Sequence, residues 1–150
     1  MQLYTKNFGQ VEYGDEDIIT FEESLPGFND KKFILLADRP NDLFCWLQSV
    51  EDSDLAFVLM DVRQIRPDYE PQIDPWIIES LDSGLDKRNG TLSYYSIAVV
   101  PEDIKQMRVN LKAPVLINSA TRKGKQVIAA NEDYSVRHYI FDEIYHRQVM

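Results

Sequence analysis

Short apolar runs, separated by turn residues, make up most of the chain. The runs are QLYTK, QVEY, DIITF, KKFILLA, LFCWLQSV, LAFVLMDV, TLSYYSIAVV, QMRVNL, PVLINS and KQVIAA. Runs of this length that are rich in β-branched and aromatic residues are typical of strands. Turn residues at short intervals favour antiparallel strands that close on themselves. We therefore predict an all-β fold, mainly antiparallel, with residues 1–150 forming a single small β-barrel-like domain capped by one short α-helix.

The helix is predicted near residues 75–83. Asp74 is a good N-cap, Pro75 suits the first helical position, and Gly84 suits the position just past the end. The apolar side of the helix consists of Trp76, Ile77, Ile78 and Leu81. We expect this side to pack on the sheet, with Trp76 as a core anchor, and the helix to plug an open end of the barrel.

A proline interrupts the strand pattern in NLKAPVLINSATRKGKQVI. Because proline removes a ladder donor, Pro114 predicts a strand edge or a bulge. Asn110 and Asn118 flank it and are expected to satisfy backbone groups left open near the break. Residues 119–125 are predicted to form a hairpin loop in which Gly124 supplies a positive φ if the turn requires one.

The turn sequence LPGF predicts a tight reversal at residues 25–28. Pro26 presets φ at the second position, and Gly27 suits the positive φ that a type II turn requires at the third. Phe28 then points either into the core or towards a partner. The pattern alone leaves both alternatives open.

Charge is unevenly distributed along a chain with a net charge of -9. Residues 1–104 carry 8 Lys/Arg and 21 Asp/Glu, whereas residues 105–150 carry 8 Lys/Arg and 4 Asp/Glu. The basic turn with Arg122, Lys123 and Lys125 is expected to be solvated or to contact an acidic partner. An alternative is a small-barrel RNA-binding module that uses the basic C-terminal third, although the overall charge opposes it. In that alternative YSVRHY is the candidate platform of basic and aromatic residues.

No constellation typical of catalysis or metal binding occurs in the sequence. His138 and His146 are eight residues apart and lack a nearby cysteine, so no zinc-type spacing exists. The single Cys45 lies between Phe44 and Trp46 and is expected in the core. A hydrolase is disfavoured because no nucleophile–base pair is evident. We predict no enzymatic activity, no cofactor and no metal.

The location of the protein is predicted to be cytoplasmic. Its N-terminus lacks the basic and apolar regions of a signal peptide, and its longest apolar stretches are too short to span a bilayer. A single cysteine without a disulfide partner is also consistent with a reducing compartment, where thiols stay reduced.

Several motifs together resemble the flagellar assembly factor FliW family. They are YTKNFGQVEY, ITFEESLPGF, WLQSVEDSDLAFVLMDV, NLKAPVLIN and RKGKQVIAANEDYSVRH, in this order. The resemblance spans residues 1–138. It holds only in character over residues 63–92, and residues 140–150 match nothing in the family pattern.

The resemblance implies a non-enzymatic cytoplasmic regulator with a small β-barrel-like fold. Proteins of this family bind flagellin before its export. They also bind CsrA, a small dimeric RNA-binding protein that represses translation of flagellin messenger RNA, and the two partners compete. Accumulated flagellin would occupy the FliW-family protein and so free CsrA to repress translation. Export of flagellin would release the FliW-family protein, which would then relieve the repression. We expect a monomer that binds neither nucleic acid nor membrane directly.

Candidate residues for partner binding occur in several parts of the chain. For flagellin, whose termini are amphipathic in the family picture, an open edge at Val115, Leu116 and Ile117 is predicted. Phe28 and the basic turn are further candidates for partner binding, and the sequence does not assign them to either partner. For CsrA, acidic residues either cover its RNA site as phosphate mimics or repel RNA from beside it, and we favour repulsion. Repulsion requires the acidic side chains to lie within one or two Debye lengths of the RNA, where one Debye length is roughly 8 Å at physiological ionic strength. The acidic clusters are Asp15-Glu16-Asp17, Glu22-Glu23 and Glu51, Asp52 and Asp54.

Overall fold

The structure is a computed structural model that describes residues 1–81 and 92–149. Its strands are β1 (Gln2–Thr5), β2 (Gly9–Glu12), β3 (Ile19–Phe21), β4 (Lys32–Leu36), β5 (Phe44–Ser49), β6 (Ala56–Asp61), β7 (Leu92–Val99), β8 (Arg108–Val109), β9 (Val115–Asn118), β10 (Lys123–Gln126) and β11 (His138–Tyr139). Its α-helices are α1 (Val62–Ile65), α2 (Pro75–Ser80) and α3 (Phe141–Val149). None of these helices is long and apolar enough to cross a membrane.

Seven strands close into a barrel in the order β7-β6-β5-β4-β3-β10-β9, with β9 returning to β7. All neighbours are antiparallel except β3 and β10, which are parallel. The predicted fold class, a mainly antiparallel β-barrel-like fold, is confirmed. The sequence predicted one short capping α-helix, whereas the described residues contain three short α-helices. The β1–β2 hairpin forms a separate sheet. Next to it, Phe8 lies edge-on to Trp46 of β5, with ring centroids 6.4 Å apart.

Alternation along the strands sends one set of apolar side chains into the barrel and another set outwards. The buried residues of the interior cluster are Ile19, Phe21, Leu25, Phe33, Cys45, Leu47, Leu59, Val115 and Ile117. On β9, Val115 and Ile117 point inwards, whereas Leu116 belongs to a separate cluster with α2. The prediction that Cys45 is a core residue is confirmed, and burial, with the charges of Asp61 and Asp42, raises the pKa of its thiol to about 12.

A second core lies on the outer side of β6, β7 and β8. Its buried residues are Met60, Val62, Tyr69, Ala98, Met107, Val109, Leu111, Ile140 and Ile144. Ile144 anchors α3 there, so α3 covers the back of β8 and β11. No structure was predicted for residues 140–150. A short helix such as α3 is stabilised mainly by packing on a core, and this core is assembled from distant parts of the chain.

Strand β7 has two different partners along one edge. Residues Leu92–Tyr95 pair with β9, and Ala98 and Val99 pair with β8. The sheet therefore forks, and β8 and β11 diverge from the barrel as a two-stranded flap. Residues 110–114 bridge the two branches of the fork.

Pro114 marks the break that the sequence predicted, but not an edge. It immediately precedes β9, which has β7 on one side and β10 on the other. The expected capping is confirmed: Asn110 Oδ1 accepts the Ala113 N–H, and Asn118 Oδ1 accepts the N–H groups of residues 120 and 121.

Two predictions around α2 are wrong in detail. Its residues Ile77 and Ile78 pack with Leu116 and Val127 on the outside of the barrel wall, so the helix does not plug an open end. Trp76 is 62% exposed and is not a core anchor. The predicted C-terminal Gly84 lies outside the described residues.

The hairpin between β9 and β10 is shorter than predicted. It ends at Arg122, which has a φ of 57°, and β10 begins at Lys123. Gly124 is therefore a strand residue, and the prediction that it supplies the turn is wrong. Its hydrogen atoms leave room for the ring of Phe21, which lies against it.

Candidate partner-binding cleft

The fork in the sheet opens a surface cleft, which we call the fork cleft. Ile97 and Asn110 line both of its parts and so connect them. The first part, about 400 Å³, lies at the mouth of the barrel beside Phe28, Phe57 and Ile128. The second, about 290 Å³, lies on the front of the flap, with lining residues Val99, Arg108, Val109, Val136 and Arg137. The cleft is therefore mainly apolar at one end and carries two guanidinium groups at the other.

The LPGF turn places an aromatic ring at the rim of this cleft. Gly27 has a φ of 87°, and the Phe28 N–H donates to the Leu25 carbonyl at 3.0 Å, which confirms the predicted turn. Leu25 is buried in the barrel, whereas Phe28 is 40% exposed. The Phe28 ring packs edge-on against Phe57, with centroids 5.0 Å apart. Phe28 thus closes the mouth with one side and faces solvent with the other.

The acidic loop of Glu51, Asp52 and Asp54 adjoins the same end of the barrel. Glu51 Oε1 accepts the backbone N–H groups of Lys31 and Lys32 at 2.7 and 2.9 Å. These two hydrogen bonds are the main cause that holds the pKa of Glu51 below its usual range. Asp52 Oδ1 accepts the Asp54 N–H at 3.0 Å. The loop is therefore fixed in place, and its three residues are exposed.

The predicted basic turn lies next to acidic residues of its own chain. Lys123 is 3.9 Å from Glu22, and Lys125 is 3.7 Å from Glu23. One terminal guanidinium nitrogen of Arg122 donates to a backbone carbonyl at 2.8 Å. These intramolecular partners lower the charge that the turn presents to a second molecule.

The apolar residues predicted as an open edge are inside the fold. Val115, Leu116 and Ile117 are all buried, and their strand has a neighbour on both sides. The premise of an exposed edge is wrong, because β7 closes the barrel against β9. In this conformation none of the three contacts solvent enough to receive a partner.

Two residues of the YSVRHY segment, the candidate RNA-binding platform, contact other parts of the same chain. Tyr134 lies against Tyr69 with ring centroids 5.0 Å apart, and its hydroxyl accepts a backbone N–H. His138 contacts the carboxylate of Glu143 on α3. Over residues 1–81 and 92–149, no group of three or more potential metal ligands is present.

Sequence reasoning missed most of the cleft. Phe57 is partly buried against the interior cluster. Val99 and Ile128 lie in runs that read as ordinary strands, and nothing local marks them as exposed. Their exposure arises because the sheet forks at β7, which is a long-range pairing. The sequence signals that fall on the cleft were the LPGF turn with Phe28, the YSVRHY segment with Arg137, and the break at Pro114, which separates the two branches.

Comparison with known proteins identifies the family. A family model described as FliW protein matches residues 2–140. The chain belongs to the FliW family. A flagellar assembly factor FliW from Thermoanaerobacter pseudethanolicus is 42% identical over 146 residues, covering 96% of this chain and 95% of the relative. One from Bdellovibrio bacteriovorus is 36% identical over 151 residues, covering 99% and 84% respectively.

A solved structure agrees with the fold. The crystal structure of a flagellar assembly factor FliW superimposes with a TM-score of 0.82 at 34% sequence identity. The match covers 93% of this chain and 96% of the other. The family match ends at residue 140, so α3 begins just beyond it. The resemblance seen in the sequence is therefore confirmed. It extends further than expected, because the Bdellovibrio bacteriovorus relative aligns with 99% of the chain.

Proposed function

We propose that this FliW-family protein binds flagellin before its export and antagonises the RNA-binding repressor CsrA. It thereby couples flagellin synthesis to export. It acts in the cytoplasm as a monomer, through its surface rather than by catalysis, and without direct contact to nucleic acid or membrane. Family membership suggests the two partners, and the fork cleft supplies a surface with suitable chemistry for one of them.

The exposed apolar part of the fork cleft is the observation that carries the flagellin proposal. Amphipathic segments bind in apolar grooves through side chains spaced along one face. Phe28 at the rim and Ile128, which is 76% exposed, give the cleft large apolar side chains in contact with solvent. This surface replaces the strand edge at Val115–Ile117 as the proposed flagellin site.

Competition between the partners follows if CsrA occupies the neighbouring acidic loop. Glu51 is hydrogen-bonded to the segment that follows Phe28, so the loop and the rim of the cleft adjoin each other. Two proteins of ordinary interface size, each covering about 800 Å² on this chain, would overlap there. We therefore assign flagellin to the cleft and CsrA to the surface around Glu51, Asp52 and Asp54.

A gel-shift experiment with flagellin leader RNA tests the proposal. The protein alone should leave the RNA unshifted at low salt, and it should abolish the shift caused by CsrA. Added flagellin monomer should restore that shift. Direct retention of RNA by the protein would favour the RNA-binding alternative, and failure to affect CsrA would refute the antagonism.

A matched pair of substitutions tests the flagellin surface. Val99 lines the cleft and is 45% exposed, whereas Val100 is 48% exposed and does not line it. Val99→Lys should weaken flagellin binding at least tenfold because it places a charge in an apolar contact. Val100→Lys should have little effect. Equal affinities of the two folded variants would remove the cleft from consideration.

Neutralising the acidic loop separates repulsion of RNA from direct cover of its site. The triple variant Glu51→Gln, Asp52→Asn and Asp54→Asn keeps the side-chain oxygens that accept the loop's hydrogen bonds. In the repulsion mechanism that we propose, it retains CsrA affinity but lets RNA rebind to the complex. Added salt should act similarly, because the field extends over roughly 8 Å. Loss of CsrA affinity in proportion to the return of RNA would instead support direct cover.

A further inference from the structure

The second part of the fork cleft carries a pair of arginines that the proposed function does not yet use. Val99 pairs with Arg108 across β7 and β8, and Arg108 pairs with Tyr139 across β8 and β11. Directly paired residues in adjacent strands point to the same face of a sheet. These three side chains therefore share the front of the flap, and Arg137 lines the same part of the cleft.

The back of the flap is closed by the second core. Ala98 and Val109 on that side are buried with Ile140 and Ile144. The front is open, because Val99, Val136 and Tyr139 remain exposed. A flap with one packed face and one open apolar face is well placed to receive a partner, since its geometry is held from behind and need not form on binding.

Arg108 is half-buried and Arg137 is exposed. Arg108 differs from the other half-buried cations in the part of this acidic chain that the structure describes. Lys123, Lys125 and Arg66 each have a carboxylate within 4.0 Å. Lys112 and Arg122 each donate to a backbone carbonyl, at 2.6 and 2.8 Å. Over residues 1–81 and 92–149, the guanidinium groups of Arg108 and Arg137 have no ion pair and no hydrogen bond. A guanidinium fork binds carboxylates in a bidentate manner, so a partner carboxylate would satisfy the partly desolvated Arg108, and the exposed Arg137 is free to join it.

Charge complementarity also indicates the character of the partner. The chain has 25 Asp/Glu against 16 Lys/Arg, so most of its surface repels an acidic molecule. Two unpaired arginines in an apolar groove form a local exception that attracts and orients one. Arginines beside apolar contacts are also common among residues that dominate binding energy.

We propose that the fork cleft binds an acidic amphipathic segment whose apolar face lies along Ile97 and Val99 and whose carboxylates are received by Arg108 and Arg137. This inference rests on the proposed function for the identity of the natural partner, flagellin. It goes further by defining a carboxylate subsite and by orienting the bound segment. The acidic residues of the segment lie over the flap, and its apolar end lies at the mouth of the barrel near Phe28.

Binding of flagellin monomer to arginine variants tests the subsite. Arg108→Gln and Arg137→Gln should each weaken binding about fivefold to tenfold, as expected when one partner of a charge-assisted hydrogen bond is removed. The matched control is Arg39→Gln, which removes the same charge from an exposed loop between β4 and β5 and should leave affinity unchanged. Circular dichroism and the melting temperature establish that each variant is folded.

The outcomes separate the subsite from the proposed function. If Val99→Lys abolishes flagellin binding while both arginine variants bind normally, the cleft is purely apolar and the carboxylate subsite is overturned. If Arg39→Gln weakens binding as much as the cleft variants, the effect is one of net charge and the subsite is again overturned. If the wild-type protein does not bind flagellin, the proposed function fails, and the subsite is decided by the following peptide experiment.

That experiment uses two synthetic amphipathic peptides. One carries glutamate beside its apolar face, and the other carries glutamine at the same positions. The glutamate peptide should shift the side-chain Nε–H resonances of Arg108 and Arg137 in the ¹⁵N-labelled protein, and the glutamine peptide should not. Equal shifts from both peptides, or none from either, overturn the inference. Binding of single-stranded RNA that is lost in the Arg108→Gln/Arg137→Gln variant would make nucleic acid the occupant and overturn it as well.

Discussion

Replacing Gly124 by alanine is expected to destabilise the fold through one contact. An alanine Cβ at this position would lie 2.5 Å from Cζ, 2.7 Å from Cε1 and 3.0 Å from Cε2 of Phe21. Normal carbon contacts are about 3.5–4.0 Å, so the ring has to move by about 1 Å. Phe21 is fully buried and packs edge-on to Phe33 at 5.4 Å, which leaves the ring little room to move.

The magnitude follows from two opposing effects. Overpacking of a filled core costs about 1–3 kcal/mol. The reduced freedom of the unfolded chain returns about 0.4–1 kcal/mol when glycine becomes alanine at a compatible φ. We therefore expect Gly124→Ala to lower the free energy of unfolding by about 1–2 kcal/mol. For a chain of this size that corresponds to a melting temperature lower by about 2–8 °C.

Urea denaturation of a double-mutant cycle provides the assay. Phe21→Leu removes ring atoms at the contact and should itself destabilise by about 1–2 kcal/mol, less than the roughly 3–5 kcal/mol of a Phe→Ala change. The variant with both substitutions should lose less stability than the sum of the two single losses, by about 0.5 kcal/mol or more. Additive losses, or an unchanged denaturation midpoint for Gly124→Ala, would refute the reasoning.

Three further predictions concern single side chains. Tyr69→Phe should lower the free energy of unfolding by about 1–2 kcal/mol in chemical denaturation, because its buried hydroxyl donates to a carbonyl at 2.7 Å that would lose its partner. Glu51→Ala should destabilise by about 1 kcal/mol at neutral pH, whereas Glu51→Gln should cost less, because Gln keeps the acceptor for the Lys31 and Lys32 N–H groups. The pKa of Glu51 is lower in the folded state than in the unfolded state, so its ionised form contributes stability at pH values above the unfolded-state pKa. This contribution is lost as the pH falls through the folded-state pKa. The stability difference between wild type and Glu51→Ala should therefore disappear in an acid titration. Cys45 should resist a thiol reagent at mildly alkaline pH and react only after denaturation, since its pKa is about 12 and its side chain is buried; rapid labelling of the native protein would contradict its placement.

Local features of the fold were determined by the sequence alone. The spacing of apolar runs identified most of the strands, and their punctuation by turn residues indicated a mainly antiparallel barrel. Strand β11 was not predicted, and β10 begins two residues before the predicted run KQVIAA. Gly27 adopts the positive φ that its turn requires, and Asn110 and Asn118 cap backbone groups as expected. The turn and the caps depend on a few neighbouring residues, so local stereochemistry is sufficient to predict them. The motifs that resembled the FliW family also lie in continuous stretches of the chain.

Tertiary structure decided which apolar residues face a partner. Leu116 and Trp76 read alike as members of apolar runs, yet Leu116 is buried beneath α2 and Trp76 is exposed. Gly124 occupies a strand rather than a turn because Phe21, more than a hundred residues earlier, needs the space. The fork cleft exists only because β7 pairs with two strands along one edge. Strand pairing between distant segments is chosen by the burial of the whole sheet, and no local pattern of residues determines it.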